Sequence, residues 1–162
     1  MVAGTDAAGE IAFLDVDEPP CRTHPGASER VKFWAASSTP VLPFDIGSTP
    51  ADVAFPGVGA ITFGVTCYPS HSAGKRRFTA DESAQANFHR AEFTDPTMHQ
   101  TDTIELEVIL SGKVDLELSS GQIRTLVPGN LVVMGGVGHS WKNVYDEPCV
   151  VAVVSIGARP GE

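Results

Sequence analysis

The chain has 162 residues, 42% of them hydrophobic, a formal net charge of −9 and a pI of about 4.9. This length fits one domain with a core of useful size. The negative charge argues against nucleic acid and anionic membrane surfaces as partners, because both select basic patches.

The chain start and the hydropathy pattern bear on location. No stretch approaches the ~20 consecutive apolar residues of a membrane span. The segment Met1 to Glu10 lacks the charged and apolar regions of a signal peptide. We therefore expect a cytoplasmic protein without membrane contact.

The N-terminal third is proline-rich and weakly periodic, and one strand is predicted in it, from Arg30 to Ala35. We predict that residues 1–56 form an irregular extension that packs on a β-barrel or on a partner subunit. The barrel itself is predicted over residues 57–162.

Short segments with a β-type pattern recur between turn signals from residue 57 onward. Strands are predicted at Ala60 to Tyr68, Asn87 to Phe93, Ile104 to Ser111, Val114 to Leu118, Gln122 to Val127, Leu131 to Met134, Ser140 to Asn143 and Pro148 to Ser155. Such regular strands with turn punctuation indicate an all-β sandwich or barrel.

In the segment that contains His99, polar and apolar residues alternate from Thr101 onward until Ser111 and Gly112 end the pattern. Successive side chains of a strand point to opposite faces of its sheet. One face therefore carries His99, Thr101, Thr103, Glu105 and Glu107, and the other carries Ile104, Leu106, Val108 and Leu110. The first of these faces brings histidine and carboxylate groups together.

A second polar segment follows the glycine-rich stretch from Gly135 to Gly138. His139, Trp141 and Asn143 have the same parity there. No helix pattern or lysine follows the glycines, so a phosphate-binding loop is disfavoured. The glycines instead suit a turn with positive φ values that presents His139.

These two segments resemble the two motifs of the cupins. His99, Glu105 and Gly112 match the first motif, while Gly129, Gly136, His139 and Asn143 match the second. The resemblance covers roughly Asn87 to Ile156. It implies a double-stranded β-helix, also called a jelly roll, and a homodimer, because cupins commonly pair through edge strands and swapped N-terminal segments.

The resemblance also implies a metal site, with two departures from the family pattern. Thr101 stands where the second metal-binding histidine is usual, and Met134 where a proline is usual. His99, Glu105 and His139 would remain as ligands for one divalent ion, Fe, Mn, Ni or Zn. A metal-free site stays open. The His-x-Thr-Asp-Thr pattern is similar to that of small single-domain cupins often found near biosynthetic genes.

Three hypotheses of function follow. The first is a lyase or isomerase, in which His99, Glu105 and His139 act as acid and base on a small organic or polyketide-type molecule by dehydration, decarboxylation or enolisation. The second is an Fe(II) dioxygenase, and the third a ligand-binding protein without catalysis. The residues predicted to contact the substrate are Thr101, Glu107, Trp141, Asn143 and His89.

Several residues have simpler interpretations. Either histidine alone would be a hydrogen-bonded core residue, and only the combination with Glu105 indicates a site. Cys21, Cys67 and Cys149 are widely spaced and indicate buried, inert thiols rather than disulfides. The basic run Lys75 to Arg77 could capture a substrate carboxylate, although such runs usually lie in solvent.

Overall fold

The structure is a computed structural model that describes residues 1–14, 29–45, 55–73, 84, 86–90 and 93–161. In these ranges the chain forms twelve strands and no helix, which confirms the all-β prediction. The strands are β1 (Val2–Thr5), β2 (Ile11–Leu14), β3 (Glu29–Ala36), β4 (Ile61–Tyr68), β5 (Phe88–His89), β6 (Gln100–Thr101), β7 (Thr103–Ser111), β8 (Val114–Leu118), β9 (Ile123–Leu126), β10 (Leu131–Gly135), β11 (His139–Lys142) and β12 (Cys149–Gly157). No helix of the described ranges could therefore cross a membrane.

Two antiparallel sheets enclose the core. The larger has the order β10-β7-β12-β4-β3 and the smaller β11-β8-β9. Side chains of both sheets meet in one apolar cluster, made of Tyr68, Ile109, Val114, Leu116, Met134, Trp141, Cys149 and Val151. Non-consecutive strands are neighbours in both sheets, so long-range pairing builds the domain.

Strand β7 has the two faces that its alternation predicts. Thr103, Glu105 and Glu107 are buried, whereas Leu106 and Leu110 are 41% and 52% exposed. The buried face carries polar side chains and the exposed face apolar ones, the reverse of an ordinary half-buried strand. Burying polar groups costs free energy, so a buried polar face is not explained by stability alone and indicates a functional site inside the domain.

Most predicted strands are confirmed to within two residues of their ends. One prediction is wrong in extent, because within the described part of the segment from Asn87 to Phe93 the strand covers only Phe88 and His89. The β1–β2 hairpin was not predicted. Its isoleucine and phenylalanine, Ile11 and Phe13, are 91% and 74% exposed, so burial leaves no alternating signal there.

The N-terminal third contributes to the barrel. Strand β3 pairs with β4 and forms an edge of the five-stranded sheet. The β1–β2 hairpin is joined to a later segment by Thr5, whose amide and hydroxyl both donate to the Phe44 carbonyl. Residues 15–28 and 46–54 lie outside the described ranges, as do Cys21 and the run Lys75 to Arg77.

The cysteine prediction is confirmed for the two described thiols. Cys67 and Cys149 are buried, and neither is part of a disulfide. Burial, with a smaller contribution from Glu147, raises the pKa of the Cys149 thiol to about 12. The thiolate that would react is therefore absent at neutral pH.

Gly112 closes the β7–β8 turn. Its φ is +71°, and a Cβ on this residue would lie 2.1 Å from the Pro148 carbonyl oxygen. Gly121, in the β8–β9 hairpin, has a similar φ of +83° but open space around the Cβ position. A side chain at Gly112 would meet both backbone strain and steric overlap, whereas a side chain at Gly121 would meet backbone strain alone.

We predict that Gly112→Ala lowers the free energy of unfolding by more than about 2 kcal/mol, because strain and overlap act together. Gly121→Ala should cost about 1 kcal/mol, since only the left-handed backbone is penalised. Urea unfolding of both variants measures the difference. Equal losses would contradict the close approach of Pro148.

Candidate functional site

Side chains of both sheets line a cavity of about 40 Å³. Its polar wall contains all three residues predicted to be catalytic, His99, Glu105 and His139. The lining residues are Arg30, Phe55, Thr66, Tyr68, Thr97, His99, Glu105, Glu107, His139, Trp141 and Val153. The two motifs, forty residues apart in sequence for the histidines, thus meet at one place.

The two histidines are paired through their backbones. The His99 amide donates to the His139 carbonyl at 2.9 Å, and the His139 amide donates to the His99 carbonyl at 2.8 Å. The ring centroids lie 4.4 Å apart, and the exposed fractions are 8% and 3%. An isolated bridge between two segments therefore holds the imidazoles side by side.

Each imidazole is oriented in the same way. Nδ1 of His139 lies 2.9 Å from the Val137 carbonyl oxygen, and Nδ1 of His99 lies 3.2 Å from that of Thr97. A carbonyl oxygen only accepts, so each Nδ1 must donate. In the neutral form of each ring the hydrogen is therefore on Nδ1 and the lone pair on Nε2.

Glu105 lies next to this pair. Its Oε2 is 3.8 Å from Nε2 of His139, and its Oε1 accepts a hydrogen bond of 3.2 Å from the Ser155 hydroxyl. Nη2 of Arg30 donates in turn to that hydroxyl oxygen at 2.7 Å. The carboxylate is therefore held from one side and faces an imidazole on the other.

Glu107 is the second buried carboxyl group of the wall. Burial and the neighbouring Glu105 carboxylate raise the pKa of Glu107 well above its usual value, and Arg30 opposes this. Oε2 of Glu107 has no hydrogen-bond partner among the described residues. A buried oxygen without a partner is costly, so this group is placed at the expense of stability.

The five predicted substrate contacts divide into two groups. Trp141 and Glu107 line the cavity, and the Trp141 ring stacks on Tyr68 with centroids 5.6 Å apart. Thr101, Asn143 and His89 are absent from the lining. The side chain of each of these three residues has a hydrogen-bonding neighbour within the protein.

Thr101 and Asn143 are bonded within the protein. The Thr101 hydroxyl lies 2.6 Å from that of Thr103. The Asn143 amide group donates to the Tyr68 and Glu147 carbonyls, and its oxygen accepts from the Tyr145 amide. Both amide hydrogens of Asn143 are therefore used within the protein.

His89 points to a different neighbour. Its Nε2 lies 3.0 Å from Oδ1 of Asp102, and its side chain is 41% exposed. This histidine is the exposed, bonded residue that its strand position also allows. The structure thus gives no support to a cavity-facing role for it.

The metal site predicted at His99, Glu105 and His139 stays a prediction, and all three side chains line the cavity. Two imidazole nitrogens and a carboxylate are suitable donors for a divalent transition metal. Among the described residues, however, no three His, Cys, Asp or Glu side chains are placed so that they could hold an ion.

Sequence reasoning missed Arg30, Thr97 and Ser155. Arg30 lies on a predicted strand, but Lys32 has the same parity, so the sequence did not single out the arginine. Asp95 followed by Thr97 is the pattern of a side-chain-capped turn, so the turn before His99 was also readable. Ser155 carried no signal beyond its parity.

The turn before His99 is held by an aspartate. Oδ1 of Asp95 accepts from the Thr97 amide at 2.8 Å and from the Thr97 hydroxyl at 2.7 Å. Lys142 binds the other carboxylate oxygen at 2.9 Å and also contacts Glu117. Because the Thr97 carbonyl orients the His99 ring, this network reaches the site.

The same contacts shift the titration of Asp95. Partial burial favours the neutral acid, but the hydrogen bonds from Thr97 and the charge of Lys142 outweigh it and lower the pKa of Asp95 from 3.8 to about 2. A depressed carboxyl pKa stabilises the folded state above the unfolded value. This contribution is lost as the pH falls from about 4 to about 2.

We predict that Asp95→Asn lowers the free energy of unfolding at pH 7 by on the order of 1 kcal/mol, after allowance for partial exposure. The difference from the unsubstituted chain should vanish near pH 2. Urea unfolding from pH 7 to pH 2 measures it. Asp146→Asn, at a fully exposed side chain, is the control, and an equal loss there would contradict the network.

Comparison with known proteins agrees with this architecture. A protein from Klebsiella pneumoniae with a double-stranded β-helix domain superposes with a TM-score of 0.52 at 12% identity, over 86% of this chain and 85% of that one. The chain has the double-stranded β-helix fold, which the resemblance to the cupins implied. The predicted fold is thereby confirmed, while no family model matches the sequence.

Three curated fungal proteins share shorter segments with this chain. Phomopsin biosynthesis cluster protein C' of Diaporthe leptostromiformis is 44% identical over 46 residues, which is 28% of this chain and 24% of the relative. Oryzines biosynthesis cluster protein J of Aspergillus oryzae is 33% identical over 67 residues, 41% and 37% of the two. A cupin-domain-containing oxidoreductase of Neurospora crassa is 36% identical over 50 residues, 31% and 26%. The matches span less than two fifths of each relative.

Proposed function

We propose that this cupin is an enzyme of the lyase or isomerase type, which moves a proton on a small carbonyl compound. The observation that carries the proposal is the 3.8 Å approach of Glu105 Oε2 to His139 Nε2 inside the cavity. The tautomer set by the Val137 carbonyl leaves that nitrogen able to accept a proton. A base and a stabilising carboxylate are therefore adjacent.

The proposed step begins with a carbon next to the substrate carbonyl. His139 Nε2 takes a proton from that carbon, and the C–H electron pair becomes the C=C bond of an enolate. The Glu105 carboxylate stabilises the imidazolium that forms. Return of the proton at another atom completes an isomerisation, whereas loss of a group beyond the carbanion carbon completes an elimination.

The cavity limits what can react in it. A volume of about 40 Å³ is well below the roughly 300 Å³ or more of a drug-sized ligand site. It admits a carbonyl with its neighbouring carbon rather than a whole polyketide. The hydroxyl groups of Thr66 and Tyr68, both in the lining, can donate hydrogen bonds to the enolate oxygen.

The relatives support small-molecule chemistry. Two of them are named for phomopsin and oryzines biosynthesis clusters. We propose a comparable biosynthetic setting, with a small metabolite as substrate. The substrate binds in the same cavity that contains the two histidines.

We predict that the protein accelerates hydrogen–deuterium exchange of acetylacetone or pyruvate in heavy water, followed by proton NMR. Both probes are small and have acidic C–H bonds beside a carbonyl. Glu105→Gln and His139→Gln should each reduce the exchange rate by about 100-fold or more, since His139→Gln removes the general base and Glu105→Gln removes the carboxylate that stabilises the imidazolium. His71→Gln and Glu147→Gln change exposed side chains and serve as matched controls.

Three outcomes separate the hypotheses. No exchange in the unsubstituted protein, or equal rates in all variants, would contradict the proposed enzyme. Binding of the probes without exchange would favour the ligand-binding alternative. Oxygen uptake after Fe(II) addition would favour the dioxygenase alternative, which the oxidoreductase name of the Neurospora relative suggests.

We also propose that two copies of the chain pair through the outer face of the five-stranded sheet. Two rows of residues in register cross four strands of this face without a charged side chain. The rows are Leu131, Val108, Ala152 and Val65, and Val133, Leu106, Val154 and Phe63. A second copy offers the same apolar face, as an interface with twofold symmetry requires.

The exposed area of this face suits a dimer. Leu131 and Val133 are 76% and 71% exposed, and Phe63, Leu106 and Val108 between 36% and 41%. The face offers on the order of 500 Å² of apolar surface, near the upper limit for monomers. A subunit in a standard interface contributes roughly 800 Å², so this face supplies most of what is needed.

We predict a dimer in analytical ultracentrifugation and a monomer for Leu131→Glu/Val133→Glu, because two buried carboxylates would be unpaired at the interface. Ile123→Glu is the control. Ile123 is 49% exposed on the smaller sheet, so this variant should remain dimeric. A monomeric unsubstituted chain, or dissociation by Ile123→Glu alone, would contradict the assigned face.

A further inference from the structure

A chain of three polar side chains crosses the inner face of the five-stranded sheet. Arg30 on β3 donates from Nη2 to the Ser155 hydroxyl oxygen on β12 at 2.7 Å. Ser155 donates to Oε1 of Glu105 on β7 at 3.2 Å. The serine is fully buried and Glu105 is 7% exposed, so the chain connects an edge strand to the site through the sheet interior.

The fold makes room for the arginine. Arg30 pairs in register with Thr66, whereas Ser155 pairs with Thr62 four residues along β4. The row between them contains Gly64, whose missing side chain leaves the path open. A Cβ on Gly64 would lie 2.2 Å from the Val31 carbonyl oxygen, so β3 packs directly on this glycine.

A β-bulge lies beside the same glycine. The register of β3 against β4 shifts between Lys32 and Trp34. Bulges bend a strand and redirect its side chains, and they are common next to active sites. The bulge and the glycine together let β3 approach the inner face, with Arg30 in the cavity wall.

The contact decides which oxygen of Glu105 faces the histidine. Both oxygens are bonded to one carbon, so the hydrogen bond that holds Oε1 also sets the direction of Oε2. That second oxygen is the one 3.8 Å from His139 Nε2. Hydrogen bonds from outer partners commonly orient catalytic or ligating side chains in this way.

We propose that Arg30 is a positioning residue, which acts through the Ser155 hydroxyl to hold Glu105 in the rotamer that faces His139. Its consequence for proton transfer rests on the function proposed above. The orientation of Glu105 by Arg30 and Ser155 is independent of that function, because it concerns only these three side chains. The competing explanation is that Arg30 acts through space, by its charge on Glu105 and Glu107.

A double-mutant cycle separates the two explanations. Urea unfolding is measured for the unsubstituted chain, Arg30→Met, Glu105→Gln and the double variant, and then for the same four in a Ser155→Ala background. Thr62→Val supplies a matched background, because Thr62 is a buried neighbour of Ser155 in register whose hydroxyl has no partner among the described residues. It removes a buried hydroxyl outside the chain of contacts.

The proposal predicts a coupling of about tenfold in the unfolding constant between Arg30 and Glu105. Coupling should fall below about twofold in the Ser155→Ala background and persist in the Thr62→Val background. Equal coupling with and without Ser155 would overturn the proposal in favour of the through-space explanation. No coupling in the unsubstituted background would also overturn it.

A second measurement covers variants that do not fold. In crystals of Ser155→Ala alone, Glu105 should occupy a different rotamer, with Oε2 turned from His139, and an unchanged rotamer would overturn the proposal. In solution, the kcat of Ser155→Ala for acetylacetone exchange should fall about 10- to 100-fold with little change in KM. Absence of exchange in every protein, with the coupling intact, would contradict the proposed function and leave the positioning role standing.

Discussion

The mutual backbone pairing of His99 and His139 is the constraint on which the site depends. His99 precedes the strands of one motif, and His139 begins β11 in the smaller sheet. Two short hydrogen bonds join these segments, and the carbonyls two residues earlier set both rings. Removing either carbonyl contact would free an imidazole to present a different nitrogen to the cavity.

The site reverses the usual burial pattern of a β-sheet, in which apolar side chains are buried and polar ones exposed. Strand β7 buries Glu105 and Glu107 and exposes its aliphatic side chains, although transfer free energies favour the opposite. The buried hydroxyl of Thr62 and one oxygen of Glu107 lack partners among the described residues. Natural proteins violate such rules mainly at functional sites, and here the violations lie on the inner face.

Sequence alone predicted the strands and the meeting of the two motifs, because alternation and turn residues are local signals. The face shared by His99, Glu105 and Glu107 followed from parity. Two features could not be predicted: the role of Asn143 and the reach of Arg30 to Ser155. Each depends on which strands become neighbours, and the order β7-β12-β4-β3 is not written in any local pattern.

The proposed proton transfer depends on which ring nitrogen of His99 and of His139 carries the hydrogen. Long-range proton–nitrogen NMR of the histidine rings reports which nitrogen carries the hydrogen. For His99 and His139 the account predicts a hydrogen on Nδ1 and a free lone pair on Nε2. In an exposed histidine, by contrast, the hydrogen exchanges between the two ring nitrogens. A proton on Nε2 of either ring, or rapid averaging of both nitrogens, would contradict it.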